Sequence, residues 1–361
     1  MLGMQTKVIK PIASVEDLRI LVMRYSSLGD VALTLPVLDE LASHYPKAKV
    51  YFATKAEYTD VIKNHPVIQK VLTLDGSDPL AFFSHLGELK DLKPHAVLDL
   101  HDSLRTHLIG WRLKPGKLVR YDKESALRRH IAAHRTKVAS THTIWKYVKA
   151  LRGFGIQAAG NLTFTVPVPR NTQDYIKDFC IRSGVKQSDQ VVGLAPGASW
   201  ETKKWPGDRW TALADRLVER YGARIWWFGS PGERSEIESI RSAMTAPEGR
   251  RGKVLAGDRT LGETIQLLGR CDLFVGHDSG LTHLAVGRGC RVVAIFGSTT
   301  ASLGFAPWGP HNTLVVNASL ACRPCHIHGR DSCPKGHFKC MKDLTVDLVE
   351  GAVARAMKRN Q

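Results

Sequence analysis

Twice along this chain, short apolar runs alternate with stretches of helical spacing, and a proline-punctuated segment separates the two series. In the first series, Arg19-Ile20-Leu21-Val22-Met23-Arg24 and the runs at 50–53, 71–74 and 96–100 read as strands. Helical spacing fills the intervals 31–45, 58–63 and 80–92. The second series has strands predicted at 191–195, 224–229, 254–256, 273–275 and 291–297. Helices are predicted at 208–221, 233–244, 261–269 and 346–357. Strands that alternate with helices form a parallel sheet covered on both faces. Pro167 and Pro169 keep the connecting segment 163–171 extended and out of any central strand. The prediction is therefore an α/β chain of two doubly wound, Rossmann-like domains, 1–167 and 168–361, with the closing helix free to pack back on the first.

A chain of 361 residues is long enough for two such cores. Residues 1–17 read as a loose extension. Met1 to Pro11 lack the apolar segment of a signal peptide, and no run reaches membrane-spanning length, so the expected location is the cytoplasm. The formal charge of +17 calls for an anionic partner: nucleic acid, a membrane surface or a phosphorylated substrate. Much of the excess lies in 103–137, where Arg105, Arg120, Arg128 and Arg129 interleave with Trp111 and Ile131. No Gly-x-Gly-x-x-Gly turn follows the first strand of either half, and no Walker motif appears. Those absences argue against a dinucleotide dehydrogenase and a Walker-type hydrolase.

Three turns carry chemistry. In Asp272-Leu273-Phe274-Val275-Gly276-His277-Asp278-Ser279-Gly280-Leu281-Thr282-His283, the strand is predicted to break at Gly276 and a helix to start at Asp278-Ser279-Gly280. Unpaired N–H groups at such a start attract phosphate, although a capped helix alone also explains the pattern. In Ser26-Ser27-Leu28-Gly29-Asp30, the aspartate either caps a helix or serves as a general base, and a helix N-terminus weakens it as a base. In Pro196-Gly197-Ala198-Ser199-Trp200-Glu201-Thr202-Lys203-Lys204-Trp205-Pro206, Gly197 and Ser199 offer donors and the two lysines offer charge suited to a phosphate. Glu233, after Gly229-Ser230-Pro231-Gly232, is placed to bind a ribose diol or to stabilise a helix start.

Arg24-Tyr25-Ser26-Ser27-Leu28-Gly29-Asp30-Val31, Lys204-Trp205-Pro206 and Asp278-Ser279-Gly280-Leu281-Thr282-His283 together resemble the ordered motifs of the family 9 glycosyltransferases, the bacterial ADP-heptose:lipopolysaccharide heptosyltransferases. The resemblance implies a GT-B fold whose two halves face across a cleft. It implies that Asp30 deprotonates the acceptor and that Lys204 contacts the donor phosphates. Donor binding would fall to Gly197, Ser199, Glu233, Asp278, Ser279, Gly280 and His283. Acceptor binding would fall to Ser26, Ser27, Gly29, Arg105, Arg120, Arg128 and Arg129. Transfer would invert the sugar without a covalent intermediate and without a required cofactor. The implied partners are ADP-heptose, the lipopolysaccharide inner core and the inner face of the cytoplasmic membrane, touched peripherally, with no nucleic acid. Thr300 to Gly309 depart from the family's usual turn. A related transferase with another nucleotide sugar and a basic nucleic-acid-binding protein are the rival readings; the latter lacks stacking platforms and a recognition helix. Finally, Cys322-x2-Cys325-x7-Cys333-x6-Cys340 has one pair at metal spacing and is a candidate structural zinc site, with reduced packing cysteines or disulfides formed during purification as the alternatives.

Overall fold

A computed structural model describes residues 17–358 apart from Ser77 and Ala159. All but the last residue of the N-terminal extension lies outside the described residues. The chain forms two compact units, the described residues of Met1–Lys123 with Thr143–Pro167, and Glu124–His142 with Val168–Gln361.

The first unit begins with β1 (Arg19–Met23), α1 (Leu28–Ala32) and α2 (Leu35–His44). One helix was expected over 31–45. The break falls where Thr34 bonds the Val31 carbonyl through its hydroxyl at 2.7 Å and Pro36, near the start of α2, has no N–H to give. Next come β2 (Lys49–Thr54), a 3₁₀ turn Ala56–Val61 where an α-helix was expected, and β3 (Ile68–Thr73). The unit continues with α3 (Pro79–Asp91), β4 (Ala96–Asp99), α4 (Leu104–Leu113) and β5 (Lys117–Arg120). α5 (Ser125–His134) belongs to the second unit, and α6 (Thr143–Ala150) returns to the first. The five strands pair in parallel in the order β3-β2-β1-β4-β5. Leu21, Met23, Val97, Leu86, Leu89 and Ile109 form part of the core under α3 and α4.

The second unit holds α7 (Thr172–Arg182), β6 (Val191–Ala195), α8 (Gly207–Tyr221), β7 (Arg224–Trp227), α9 (Arg234–Ser242) and β8 (Lys253–Val254). It continues through α10 (Leu261–Leu268), β9 (Leu273–His277), α11 (Gly280–Gly287), β10 (Arg291–Phe296), β11 (Thr313–Val316), α12 (Lys339–Lys342) and α13 (Val346–Lys358). The sheet is again parallel, ordered β11-β10-β9-β6-β7-β8. β9 does not stop at Gly276. That glycine pairs with Ala195 and Ala294, and a side chain there would strike the Phe274 ring at 2.7 Å. Val349, Ala352, Val353 and Ala356 of α13 bury within the core of their own unit, so its apolar face is covered there.

The most informative departure concerns the basic stretch 103–137. It is not one surface: α4 and β5 stay with the first sheet, while 124–142 joins the second unit. The Glu124 carboxylate accepts from the Ser140 hydroxyl, the Thr141 hydroxyl and the Thr141 N–H at 2.6–2.8 Å, closing 124–142 into a loop. That loop sits on the unusual Thr300–Gly309 turn. Ser140 N–H donates to Ser302 O at 2.8 Å, Arg128 lies 4.9 Å from the Phe305 ring, and His142 bonds Ala306 O and stacks on Trp308.

Candidate functional site

In an open parallel sheet, ligands bind at the carboxyl ends of the strands where the strand order reverses. In the first unit that point lies between β1 and β4, in the second between β6 and β9. The three predicted motifs fall on the loops that leave β1, β6 and β9, and Glu233 follows β7.

In the first unit, Arg24 follows β1 and is buried. Its Nη1 donates to Leu100 O at 2.6 Å and to the Tyr121 hydroxyl at 3.3 Å, and its Nη2 lies 2.8 Å from Asp30 Oδ2. Asp30 is the third residue of α1 and closes a capping box with Ser27, whose N–H and hydroxyl donate to the same Oδ2 at 3.3 and 2.9 Å. Tyr147 donates to the other oxygen, Oδ1, at 3.2 Å. Burial pushes the Asp30 carboxyl up, but Arg24 and Ser27 outweigh it, and the group is held below the usual carboxylate range. Asp30 is thus both a cap and an ionised, 17% exposed carboxylate, and Oδ1 retains room for a second donor. Gly29 is buried, Ser26 half-buried and Ser27 exposed.

Two groups nearby were not foreseen. His101, after β4, is held neutral: burial, Arg24 and Lys123 bring it down to about 4, and its Nδ1 is buried without a partner. Tyr147 comes from α6, far along the chain, and no motif marks it. Arg120 points its Nε at the buried Asp99 carboxylate at 3.4 Å, and Arg105 lies over the Phe82 ring at 6.0 Å. Of the four arginines expected to bind acceptor, these two lie in the first unit; Arg128 and Arg129 are on α5 in the second.

In the second unit, Asp278 follows β9. Lys203 Nζ lies 2.7 Å from its Oδ2 and 3.1 Å from its carbonyl, and Thr299 donates to Oδ2 at 2.8 Å. Burial raises the Asp278 carboxyl, Lys203 and Thr299 lower it, and the net is below the usual range. Lys204, the lysine expected here, points elsewhere: its Nζ pairs with Glu201 at 2.8 Å and Glu236 at 3.1 Å. The 3₁₀ turn Glu201–Lys203 swings the two neighbouring side chains apart. Ser279 is the N-cap of α11, yet its hydroxyl makes no cap bond and is buried without a partner. Gly280 opens the helix, and His283 is buried one turn further in.

His277 ties this loop to the one after β6. Its Nε2 accepts the Trp205 N–H at 2.9 Å while its Nδ1 donates to Gly197 O at 3.1 Å, and burial holds it neutral, down to about 4. The Glu233 carboxylate lies close over Gly197: a Cβ there would meet it at 2.1 Å and displace that side chain. Glu233 spends Oε2 on the Ser230 N–H and hydroxyl, so it caps its turn whatever else it binds. Ser199 is exposed.

The cysteine segment is anchored by hydrogen bonds to its own unit. Among the described residues, the three-donor gathering with metal-binding spacing is Asp99, Asp102 and His107; no three of the cysteine and histidine donors of the tail converge in that way. Zinc thiolates need Zn–S near ~2.3 Å, so the side chains as placed do not fit a bound zinc. Instead Arg323 donates to the carbonyls of Phe296, Thr299 and Asn317 at 2.8–2.9 Å, and to Gly297 O. Cys325 N–H donates to Ser298 O at 3.1 Å. Arg323 thereby holds the loop that carries Thr299. Arg323→Met should strand those carbonyls and cost about 2–4 kcal/mol. Thermal unfolding should show a Tm lower by about 5–10 °C; an unchanged Tm would remove Arg323 from this role.

The family model described as glycosyltransferase family 9 (heptosyltransferase) matches residues 83–334. Lipooligosaccharide heptosyltransferase 2 of Campylobacter jejuni is 25% identical, covering 89% of this chain and 93% of its own. The crystal structure of a family 9 glycosyltransferase from Veillonella parvula superposes with a TM-score of 0.80 at 20% identity, over 95% of this chain and 98% of that one. The Escherichia coli ADP-heptose lipopolysaccharide heptosyltransferase II superposes with a TM-score of 0.75 at 18% identity, over 95% and 100%. Two parallel sheets with helices on both faces are the GT-B fold that those structures share.

Proposed function

Because the chain belongs to glycosyltransferase family 9, the heptosyltransferases, we propose that it moves a heptose from ADP-heptose to the inner core of lipopolysaccharide. The observation that carries this reading is the second unit's switch point. There an uncapped helix start and the free Ser279 hydroxyl leave donors for a pyrophosphate, with the Lys203 ammonium, held in place by Asp278, beside them. The C-terminal unit holds the nucleotide sugar, with Lys203, positioned by Asp278, as the positive charge beside the leaving phosphate. The N-terminal unit receives the acceptor.

In the transfer, the acceptor oxygen forms a bond to the anomeric carbon as the bond to the phosphate oxygen breaks. ADP leaves with the electron pair, and Asp30 Oδ1 takes the hydroxyl proton. The configuration inverts. Neutral His101 lies beside this position with an unspent ring nitrogen, suited to a sugar hydroxyl. The basic surface of α4 and β5 suits an acceptor carrying carboxylates and phosphates, and it suits work at the inner face of the cytoplasmic membrane. No described helix is long and apolar enough to cross that membrane.

A donor screen tests the reading. ADP-heptose should support transfer to lipopolysaccharide lacking outer sugars, at rates well above those with UDP- or GDP-sugars. Preferred use of a different nucleotide sugar would keep the transferase and overturn the heptose.

A further inference from the structure

The α4 helix is apolar on two sides. Ile109 is buried against the sheet beside Thr106 and Gly110. The opposite side carries Leu104, Leu108 and Trp111, at helical spacing, and these are 92%, 45% and 65% exposed. The adjoining α3 adds Leu80 and Phe83, at 81% and 63%. Single exposed apolar residues are ordinary; five large ones on two packed helices are a patch.

The charge around the patch selects its partner. From Leu104 to Tyr121 there is no acidic residue, and Arg112 and Lys114, at the end of α4, are exposed with no ion pair among the described residues. A second protein copy would have to bury those charges against itself. An anionic bilayer neutralises them at the headgroups while Leu and Trp enter the acyl boundary. Position favours the same partner. Leu104 follows directly on the Ser103 cap, in the loop that carries His101, so the apolar stripe starts at the sheet edge where the acceptor binds. A lipid-anchored acceptor presents its sugars within reach of a bilayer, which is where that edge needs to be.

We propose that the outer face of α3 and α4 is a membrane-docking surface that seats the N-terminal unit on anionic phospholipid. This rests on the transferase reading only for why docking is useful; the docking itself requires no donor.

The test is flotation of the full-length chain with vesicles of phosphatidylethanolamine and phosphatidylglycerol, and with phosphatidylcholine alone. The expected result is binding to the anionic vesicles only, weakened by salt. Leu104→Ser/Leu108→Ser/Trp111→Ser should lower the partition coefficient at least about tenfold, since each of the three apolar side chains leaves water on docking. Arg112→Gln/Lys114→Gln should lower it several-fold. All these residues are exposed, and an unchanged Tm confirms that the variants fold. Transfer to a delipidated acceptor should be unchanged in the apolar variant, while transfer to vesicle-borne acceptor slows. Apolar-variant binding equal to the parent overturns the proposal, as does a parent that binds no vesicle. Conversion of a parent dimer to monomer by the same substitutions, without an effect on flotation, also overturns it and gives the face to a second copy. A parent that floats but transfers no heptose leaves docking standing and sinks the enzymatic reading instead.

Discussion

Asp30→Asn should slow transfer by about a thousandfold, the middle of the range for loss of a general base, while ADP affinity measured by calorimetry stays within about twofold of the parent. The substitution is nearly isosteric and lies in the unit proposed to hold the acceptor, so the nucleotide is untouched. It also removes the negative partner of buried Arg24, and some loss of Tm should accompany the loss of rate. The pH dependence has a definite sign. Asp30 titrates below the usual carboxylate range, so its stabilising ion pair is complete above that range and is lost as the pH falls through the depressed value. The base form follows the same course. Transfer should therefore hold on mild acidification, as far as Asp30 is concerned, and decline only in strongly acidic buffer. A variant that transfers at the parent rate would take the base role from Asp30.

The second large effect separates two adjacent lysines. Lys203→Ala should reduce kcat/KM by about 10²–10³, the cost of removing one preorganised charge from a departing anion, and should weaken ADP binding. Lys204→Ala should change either quantity no more than about threefold, because its ammonium sits between Glu201 and Glu236. Steady-state kinetics on the two variants decide the matter, and the reverse ranking would restore the sequence-based assignment to Lys204.

That pair shows where sequence reading reaches its end. Both lysines were visible as phosphate-binding candidates, but neighbouring residues on a tight turn point in different directions, and only the turn's geometry selects between them. The strands were legible because a parallel sheet buries both faces: Val191–Ala195 and Ala96–Asp99 are buried throughout, the first without a charged residue and the second apolar up to its terminal Asp99. α5 was not legible as a helix of the second unit. Its charged sequence announces a surface, and the ring that its Arg128 packs on, Phe305, lies in a turn well over a hundred residues away. His277 was missed for a related reason. A neutral, fully buried histidine at a strand end looks like an interruption in the apolar run until its two ring nitrogens are seen bridging Trp205 and Gly197.

Because Glu124–His142 leaves the first unit, joins the second and returns, the polypeptide passes from one to the other at three places rather than one. Cutting the gene at the proline linker would therefore not yield a clean C-terminal module. A fragment starting at residue 168 would lack its own α5 and would uncover Phe305 and Trp308, a sticky spot on an otherwise finished surface. A recombinant donor-binding module needs residues 124–142 spliced back in.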